Sequence, residues 1–385
     1  MKIVDVRAIP VTVPQKGELS GYLPHQEDLR PLIRKAWTSC FVEIETDDGL
    51  TGTGESVVRE VPRATALIIE ELLKPVIMGK DPADIDVLWE LMYATLRTRG
   101  HSRGYFIEAL SGVDIALWDL LGRAQGKPVY KLLGGAWDLK VKAYASSILF
   151  GKPDEMAREA LKLVEAGHDQ IKMKVGMGER KDEENVRAVR ETVGYDVGLM
   201  VDANSAYNAP QAIRLGRKFE RYECLWFEEP VPPDDINGYI EVARALDIPI
   251  AGGESHFLRY DFRELIARNA IDIVMPDVGR AGGISECRKI ASIASIFGKQ
   301  YTPHVGLSGA GVRAASLHLS ASIPRETFLS YEYYHIPGRP NPLANEITKR
   351  PIEVFKDGYV DVPSTPGLGI ELKHSVVKGY RVKNH

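Results

Sequence analysis

Val4, Val6 and Ala8 alternate with Asp5 and Arg7 near the start of the chain. A period of two belongs to a strand with one face packed and one face wet. The segment Cys40-Phe41-Val42-Glu43-Ile44-Glu45 alternates likewise and runs into Asp47-Asp48-Gly49, a tight-turn signal. Its hairpin partner is then Leu50 to Val57. From about Arg63 to Gln125 the period becomes helical: Leu67, Ile68, Leu72 and Leu73 share a face, as do Leu88, Leu91 and Met92. Ile107 to Leu121 reads as a strongly apolar helix, and Pro128 and Gly134-Gly135 punctuate the end of the region. Residues 1–128 are therefore expected to form an α+β domain, a small sheet followed by helices.

After Gly135 short β-rich runs alternate with helical stretches. The strands expected are Val141–Ser146, Gln170–Lys174, Gly198–Asp202, Cys224–Glu228, Ile250–Gly252, Ile271–Met275, Gln300–Thr302 and Phe328–Tyr331. Strands alternating with helices imply a parallel sheet. Eight such units over residues 136–336 fit a (β/α)8 barrel, and the fold class is α/β. An open doubly wound sheet is the alternative, but no strand leads into GxGxxG and there is no P-loop. Gly52-Thr53-Gly54 and Gly306 to Gly311 are the nearest candidates and read as turns. Residues 337–385 are Pro- and Gly-rich with short β-like pieces such as Tyr359-Val360-Asp361-Val362. Chain order suggests that this tail returns to the first domain.

Composition narrows the class. The 385 residues are 44% hydrophobic and 26% charged, with 49 Lys and Arg against 53 Asp and Glu and a formal net charge of −4. That balance offers no basic footprint for nucleic acid or an anionic membrane. Cys40, Cys224 and Cys287 form no CxxC pair and no disulfide framework, which suits a reducing cytoplasm. The N-terminus alternates, unlike a signal peptide, and no apolar run approaches the roughly 18 residues of a membrane span. A cytoplasmic enzyme acting on a small molecule is the expectation.

The chemistry lies at the strand ends. In order the expected strands lead into Lys174, Asp202, Glu228, Glu254, Asp277, His304 and Glu332, at steps of 28, 26, 26, 23, 27 and 28 residues. Each step is one βα unit, so the seven groups converge at the mouth where barrel active sites lie. Asp202, Glu228 and Glu254 come from adjacent strands. One acid after a strand is often a helix N-cap. Three at even spacing would repel unless a hard divalent cation neutralises them, and Mg²⁺ is the default. No His or Cys accompanies them, which disfavours zinc and a zinc hydrolase. Glu229 turns away from Glu228 by strand alternation and is given a structural role. Lys172 and Lys174 share a strand face, and beside a cation site and each other the pKa of Lys174 should fall, as a general base requires. Asp277 one unit before His304 suits a carboxylate holding an imidazole. Glu332 is a proton donor if burial raises its pKa, or else an ion-pair partner of a neighbouring strand. Lys174 and His304 on opposite sides of a metal suit proton removal next to a carboxylate, with the enediolate stabilised by the cation.

These residues resemble the enolase superfamily, mandelate racemase subgroup (mandelate racemase/muconate lactonizing enzyme-like). The resemblance runs along nearly the whole chain. It includes Ala109-Leu-Ser-Gly-Val-Asp-Ile-Ala-Leu-Trp-Asp-Leu120, the lead Pro128-Val-Tyr-Lys-Leu-Leu-Gly-Gly135, and the KxK pair of Lys172 and Lys174. It also includes Asp202 in Val-Asp-Ala-Asn, Glu228 in Glu-Glu-Pro and Glu254 in Gly-Gly-Glu-Ser. It implies a modified barrel capped by an α+β domain built from the N-terminal region and the tail. It implies Lys174 as the base on one face, a His304–Asp277 dyad on the other, Mg²⁺ on Asp202, Glu228 and Glu254, and a homo-oligomer. Glu332 matches the strand-eight acid after a longer gap, and Arg280 stands where the racemase-type site has a lysine. Cap loops near Gly17–Arg30 and after Gly54 would cover the mouth.

Within that family the constellation serves dehydration, racemisation or epimerisation, and cycloisomerisation. Dehydration of an acid sugar (aldonate or aldarate) to a 2-keto-3-deoxy acid is preferred, as the commonest chemistry with this Lys and His–Asp pairing. A racemase or epimerase of a 2-hydroxy acid and a muconate-lactonizing type of cycloisomerase are the alternatives. Lys172 and Asn204 are expected substrate contacts, Asn204 alternatively a support for the ligands. Arg97, Arg99, His101, Arg103, His256 and Arg280 are further polar residues for a hydroxylated or diacid substrate, or solvated loop charges. A binding protein without catalysis is the competing class, and it has no use for an Asp–His pair.

Overall fold

The computed structural model describes residues 1–15, 36–335 and 340–382. The expected cap loop at Gly17–Arg30 lies outside them. The N-terminal domain is an antiparallel sheet of β1 (Ile3–Pro14), β2 (Ala36–Thr46) and β3 (Thr51–Val57). Asp47-Asp48-Gly49 makes the turn, with Gly49 in the left-handed region that favours glycine. The apolar helix Tyr105–Ala124 lies across β3, buried along most of its length. Gly52 and Gly54 sit inside β3 rather than in a turn, because that helix comes too close for a side chain. A Cβ on Gly54 would fall onto the carbonyl oxygen of Gly112.

The second domain is built from eight parallel strands: β4 (Lys140–Ile148), β5 (Gln170–Lys174), β6 (Gly198–Asp202), β7 (Cys224–Glu228), β8 (Ile250–Gly252), β9 (Ile273–Val274), β10 (Gln300–Tyr301) and β11 (Tyr331–Tyr333). Helices separate them from β4 to β11. β11 pairs with β4, so the sheet turns back on itself. Between β10 and β11 the ladder reduces to a bridge of Tyr301 with Phe328, and the barrel does not close with a continuous ladder. The eighth strand therefore falls at Tyr331–Tyr333, not Phe328–Tyr331. Its register is fixed by β4, far away in sequence, which local alternation does not report.

The tail divides. β12 (Phe355–Lys356) and β13 (Tyr359–Asp361) form a hairpin that extends the barrel sheet through β13 on Lys140–Lys142 of β4. The tail also reaches the first domain: the short helix Pro342–Asn345 packs near β2, Leu368 donates its N–H to Asp119 at 2.7 Å, and Val382 donates to Pro10 O at 2.9 Å. The earlier expectation of a simple return did not include the hairpin.

Buried polar groups lock the cap to the barrel. Glu55 on β3 accepts N–H bonds from Gly309, Gly311 and Val312 at the start of the barrel helix Ala310–Ser322. Backbone donors and the positive end of that helix both favour a carboxylate there. Asp114 takes the N–H and hydroxyl of Ser285, and Trp89 Nε1 donates to Gly282 O at 2.7 Å. These bonds fix the loop after β9 that carries Asp277 and Arg280. No helix among the described residues is long and apolar enough to cross a membrane.

The close packing of β3 on its helix gives a direct check. Gly54→Ala is expected to cost about 2 kcal/mol or more of folding stability, as overpacking against rigid backbone does. Urea unfolding that is unchanged would contradict the packing.

Candidate active site

Ladder register places the first half of the site. Lys174 pairs with Asp202 across β5 and β6, and Asp202 with Glu228 across β6 and β7. Side chains of directly paired positions in a parallel sheet leave the same face, so these groups point together into the mouth. Glu254 follows β8 and completes the cluster. One carboxylate oxygen from each of Asp202, Glu228 and Glu254 lies within 4.8 Å of the others, and all three residues are buried. The donor set is all oxygen and triply acidic, which fits a hard divalent cation.

Cations ring this acid cluster. Lys172 donates to both oxygens of Glu228, at 2.8 and 2.7 Å, and lies 3.3 Å from Glu332. Burial alone would lower its pKa, but Glu228 and Glu332 outweigh it and hold the ammonium well above its usual value. Lys174 donates to Asp202 at 2.5 Å and to Asn204 Oδ1 at 2.7 Å. From the protein groups alone the shift is upward: burial pulls the pKa down, and Asp202, Glu254 and Glu228 together pull it up by more. The reason is charge balance, since the unneutralised carboxylates outweigh the repulsion from Lys172.

His304 closes the opposite side. Its Nδ1 is 2.7 Å from Asp277 Oδ2, and its Nε2 is 3.2 Å from Glu254 Oε2. Asp277 is itself fixed by the Gly279 N–H at 2.8 Å. Both ring nitrogens face carboxylates, so both donate. Burial disfavours the imidazolium, but Glu254, Glu332 and Asp277 together raise its pKa to about 9. Glu254 is pushed up by burial and pulled down further by His304, Arg59 and Lys174, to about 2.

Glu332 is brought to the site in the ion-pair arrangement, 3.3 Å from Lys172 on β5. It accepts from the Val305 and Gly306 N–H groups at 2.6 and 2.9 Å. Burial pushes its pKa up, and Lys172 and His304 outweigh burial and hold it well below the usual carboxylate range. It is a carboxylate, not a proton donor, because a buried charge with this many partners stays ionised. Asn204 sits at positive φ (41°), with its side chain on Lys174 and its N–H on Asp202. Glu229, also at positive φ (39°), stays out of the cluster yet remains buried, with Oε1 unpartnered among the described residues.

The outer polar residues scatter. Arg97, Arg99 and His101 are exposed, and Arg103 pairs with Asp261 at 2.7 Å. His256 is buried against Pro233 O at 3.0 Å. Arg280 is held by Glu108 at 3.0 Å and by the Glu254 carbonyl at 3.1 Å. The sequence reading missed Arg59, whose guanidinium lies 3.2 Å from Glu254 Oε1 just beyond β3. Its one signal was position, in the segment after Gly54 expected to reach the mouth.

Comparison with known proteins agrees with this geometry. Residues 32–134 match the mandelate racemase/muconate lactonizing enzyme N-terminal domain, and residues 155–376 match the enolase C-terminal domain-like family. The chain belongs to the mandelate racemase/muconate lactonizing enzyme family of the enolase superfamily. An arabinonate dehydratase of Saccharolobus solfataricus is 37% identical over 89% of this chain and 90% of its own length. A D-galactarolactone cycloisomerase of Agrobacterium fabrum is 35% identical over 89% and 91%. The crystal structure of a racemase from Streptomyces coelicolor A3(2) with bound magnesium superimposes with a TM-score of 0.88, at 30% identity over 99% of this chain and 100% of that one.

Two measurements test the electrostatics. Glu254 holds a proton on His304, so saturating Mg²⁺ should lower the His304 pKa below about 9. The imidazole resonances in NMR titrations with and without Mg²⁺ report this, and an unshifted midpoint would exclude a cation at Glu254. Glu228→Gln should weaken Mg²⁺ binding by about tenfold or more by calorimetry, through loss of one charged ligand. Wild-type affinity in that variant would remove Glu228 from the ligand set.

Proposed function

We propose that this enzyme removes the proton α to the carboxylate of an acid sugar and expels the β-hydroxyl as water, leaving a 2-keto-3-deoxy acid. One observation carries the reading: Lys174 and His304 reach the same carboxylate cluster from opposite sides, through Asp202 and Glu254. A dehydration needs a base on one side of the reacting carbons and an acid for the departing hydroxyl. The relative named as an arabinonate dehydratase supports this choice.

Asp202, Glu228 and Glu254 are the residues that would hold the metal, and Mg²⁺ is the cation their all-oxygen chemistry favours. When bound, it supplies positive charge where the enediolate oxygens develop. The rest falls to the chain. Lys174 takes the α-proton. The charge on Asp202 that keeps its ammonium protonated is the charge a ligated cation neutralises, so metal loading favours the free amine. His304 carries the proton for the leaving hydroxyl on Nε2, with Asp277 orienting the ring from Nδ1. Asn204 keeps the Lys174 side chain aimed while its ammonium changes charge. Lys172 and Glu332 form a buried pair behind the ligands and hold Glu228 in place.

The same opposed pair would serve racemisation, with each residue handling one face. The cycloisomerase relative makes ring closure or opening the second reading. Incubation with Mg²⁺ and a library of α-hydroxy acids in D2O separates dehydration from the other two by mass spectrometry. Loss of water with α-deuterium exchange is expected for at least one acid sugar. Deuterium uptake alone would replace the proposal with a racemase, epimerase or cycloisomerase. His304→Asn should abolish water loss, a fall of about 10²-fold or more, while Lys174 continues to exchange the α-proton of one configuration. Full turnover in that variant would deny His304 its role.

A further inference from the structure

Alternation gives each barrel strand two faces. On β6 and β7, Leu199, Val201 and Phe227 pack into the main core, and Met200, Asp202, Trp226 and Glu228 point the other way, into the barrel. Trp226 lies two residues before Glu228 on the same strand face. There it joins Tyr144, Met200, Ala251, Ile273 and Met275 in a small apolar cluster separate from the main core. That cluster is the floor beneath the acid cluster.

The floor touches the charges above it at two points. Trp226 Nε1 donates to Glu228 Oε2 at 3.2 Å, and the Lys172 ammonium sits 5.4 Å from the centroid of the Tyr144 ring. Tyr144 and Trp226 meet edge to face, with ring centroids 5.2 Å apart and planes at 86°. Both are fully buried. Close packing around an indole with only two side-chain torsions fixes the direction of its N–H. The other fully or nearly buried indoles with a bonded N–H, Trp89 and Trp118, donate to Gly282 O and to the Ser285 hydroxyl, where cap meets barrel. Trp226 is the one that donates to a candidate ligand.

Glu228 thus has two donors of different kinds. Lys172 is charged and shared: it bonds both Glu228 oxygens, and it also lies 3.3 Å from Glu332 and 3.7 Å from Asp202. A divalent cation on Asp202, Glu228 and Glu254 has the same sign as Lys172, so the two repel across the carboxylate they share. The indole N–H is a donor only and carries no formal charge. Its bond to Oε2 meets no such repulsion, and its packing leaves it one direction.

We infer that Trp226 is a positioning residue for the metal site, which holds Glu228 rigid and so favours Mg²⁺ over Ca²⁺. The inference rests on the metal reading of Asp202, Glu228 and Glu254 and deepens it. Mg²⁺ demands near-ideal octahedral geometry with ligands at about 2.0–2.1 Å, whereas Ca²⁺ accepts flexible arrangements of oxygens at about 2.3–2.6 Å. A carboxylate free to swing suits the larger ion, and one pinned by a fixed neutral donor suits the smaller. Hydrogen-bond donors behind metal ligands are worth about 10- to 100-fold in metal affinity.

The test titrates Mg²⁺ and Ca²⁺ separately into the full, substrate-free chain by calorimetry. Two replacements at position 226 are compared. Trp226→Phe removes the N–H together with part of the ring. The benzothienyl analogue of tryptophan, introduced at 226, keeps the shape of the ring and puts sulfur where the N–H was. Both should bind Mg²⁺ about tenfold or more weakly than the wild type. Ca²⁺ should stay within about threefold, so the Mg²⁺-to-Ca²⁺ affinity ratio falls by at least about threefold. If Trp226→Phe does not fold, the analogue decides alone, because it leaves the packing of the floor intact. A wild-type ratio in the analogue overturns the inference, even where Trp226→Phe is weakened, since the ring would then act by filling space. Equal loss for both ions overturns it too, because the N–H would then add affinity without selecting between them. In each of those cases the metal reading stands. A wild type that binds neither ion removes the metal reading, and this inference with it.

Discussion

Everything at the barrel mouth answers to the mutual repulsion of three buried carboxylates. Asp202, Glu228 and Glu254 are held close together in a place with little water to screen them. Burying charges is costly unless opposite charges and hydrogen bonds compensate. The structure meets that demand with Lys172, Lys174, His304 and Arg59, each from a different direction. The acid cluster that suits a divalent cation is therefore the same feature that assembles the buried cations around it. Glu332 belongs to this balance too, its pKa held down by Lys172 and His304 against the effect of burial.

Precision in that balance comes from the sheet. A strand that slipped by one residue would turn Lys174 or Asp202 out of the mouth and toward the surrounding helices. The direct pairings Lys174 with Asp202 and Asp202 with Glu228 prevent this for the first half of the site. On the other half, where β9 and β10 are only two residues long, side chains take over the task. The Asp277–His304 bridge and the Gly279 N–H on Asp277 do there what a longer ladder does elsewhere.

The first domain completes the site through a few committed polar contacts. Glu55 reaches from β3 to the start of a barrel helix and so fixes the Leu307–Ser308 loop beside His304. Asp114, Trp89 and Trp118 do the same for the loop that follows Asp277. A cap attached this way determines what may sit above the metal ligands without touching the ligands themselves, Arg59 excepted.

The sequence by itself determined the strand ends and the unit spacing. Lys174, Asp202, Glu228, Glu254, Asp277 and His304 were legible because a barrel converts a step of one βα unit into spatial adjacency. Alternation and helical period likewise exposed the α+β cap and the parallel strands. Tertiary structure decided what depends on partners distant in the chain. The eighth strand took its register from β4, and Gly52 and Gly54 became strand residues because a helix passes over them. Protonation depends on that packing too, since the pKa of Lys174 or Glu332 follows the sum of surrounding charges and not residue type or burial alone. Arg59 stayed hidden for the same reason, as a lone arginine in a loop gains meaning only from the carboxylate that the fold sets beside it.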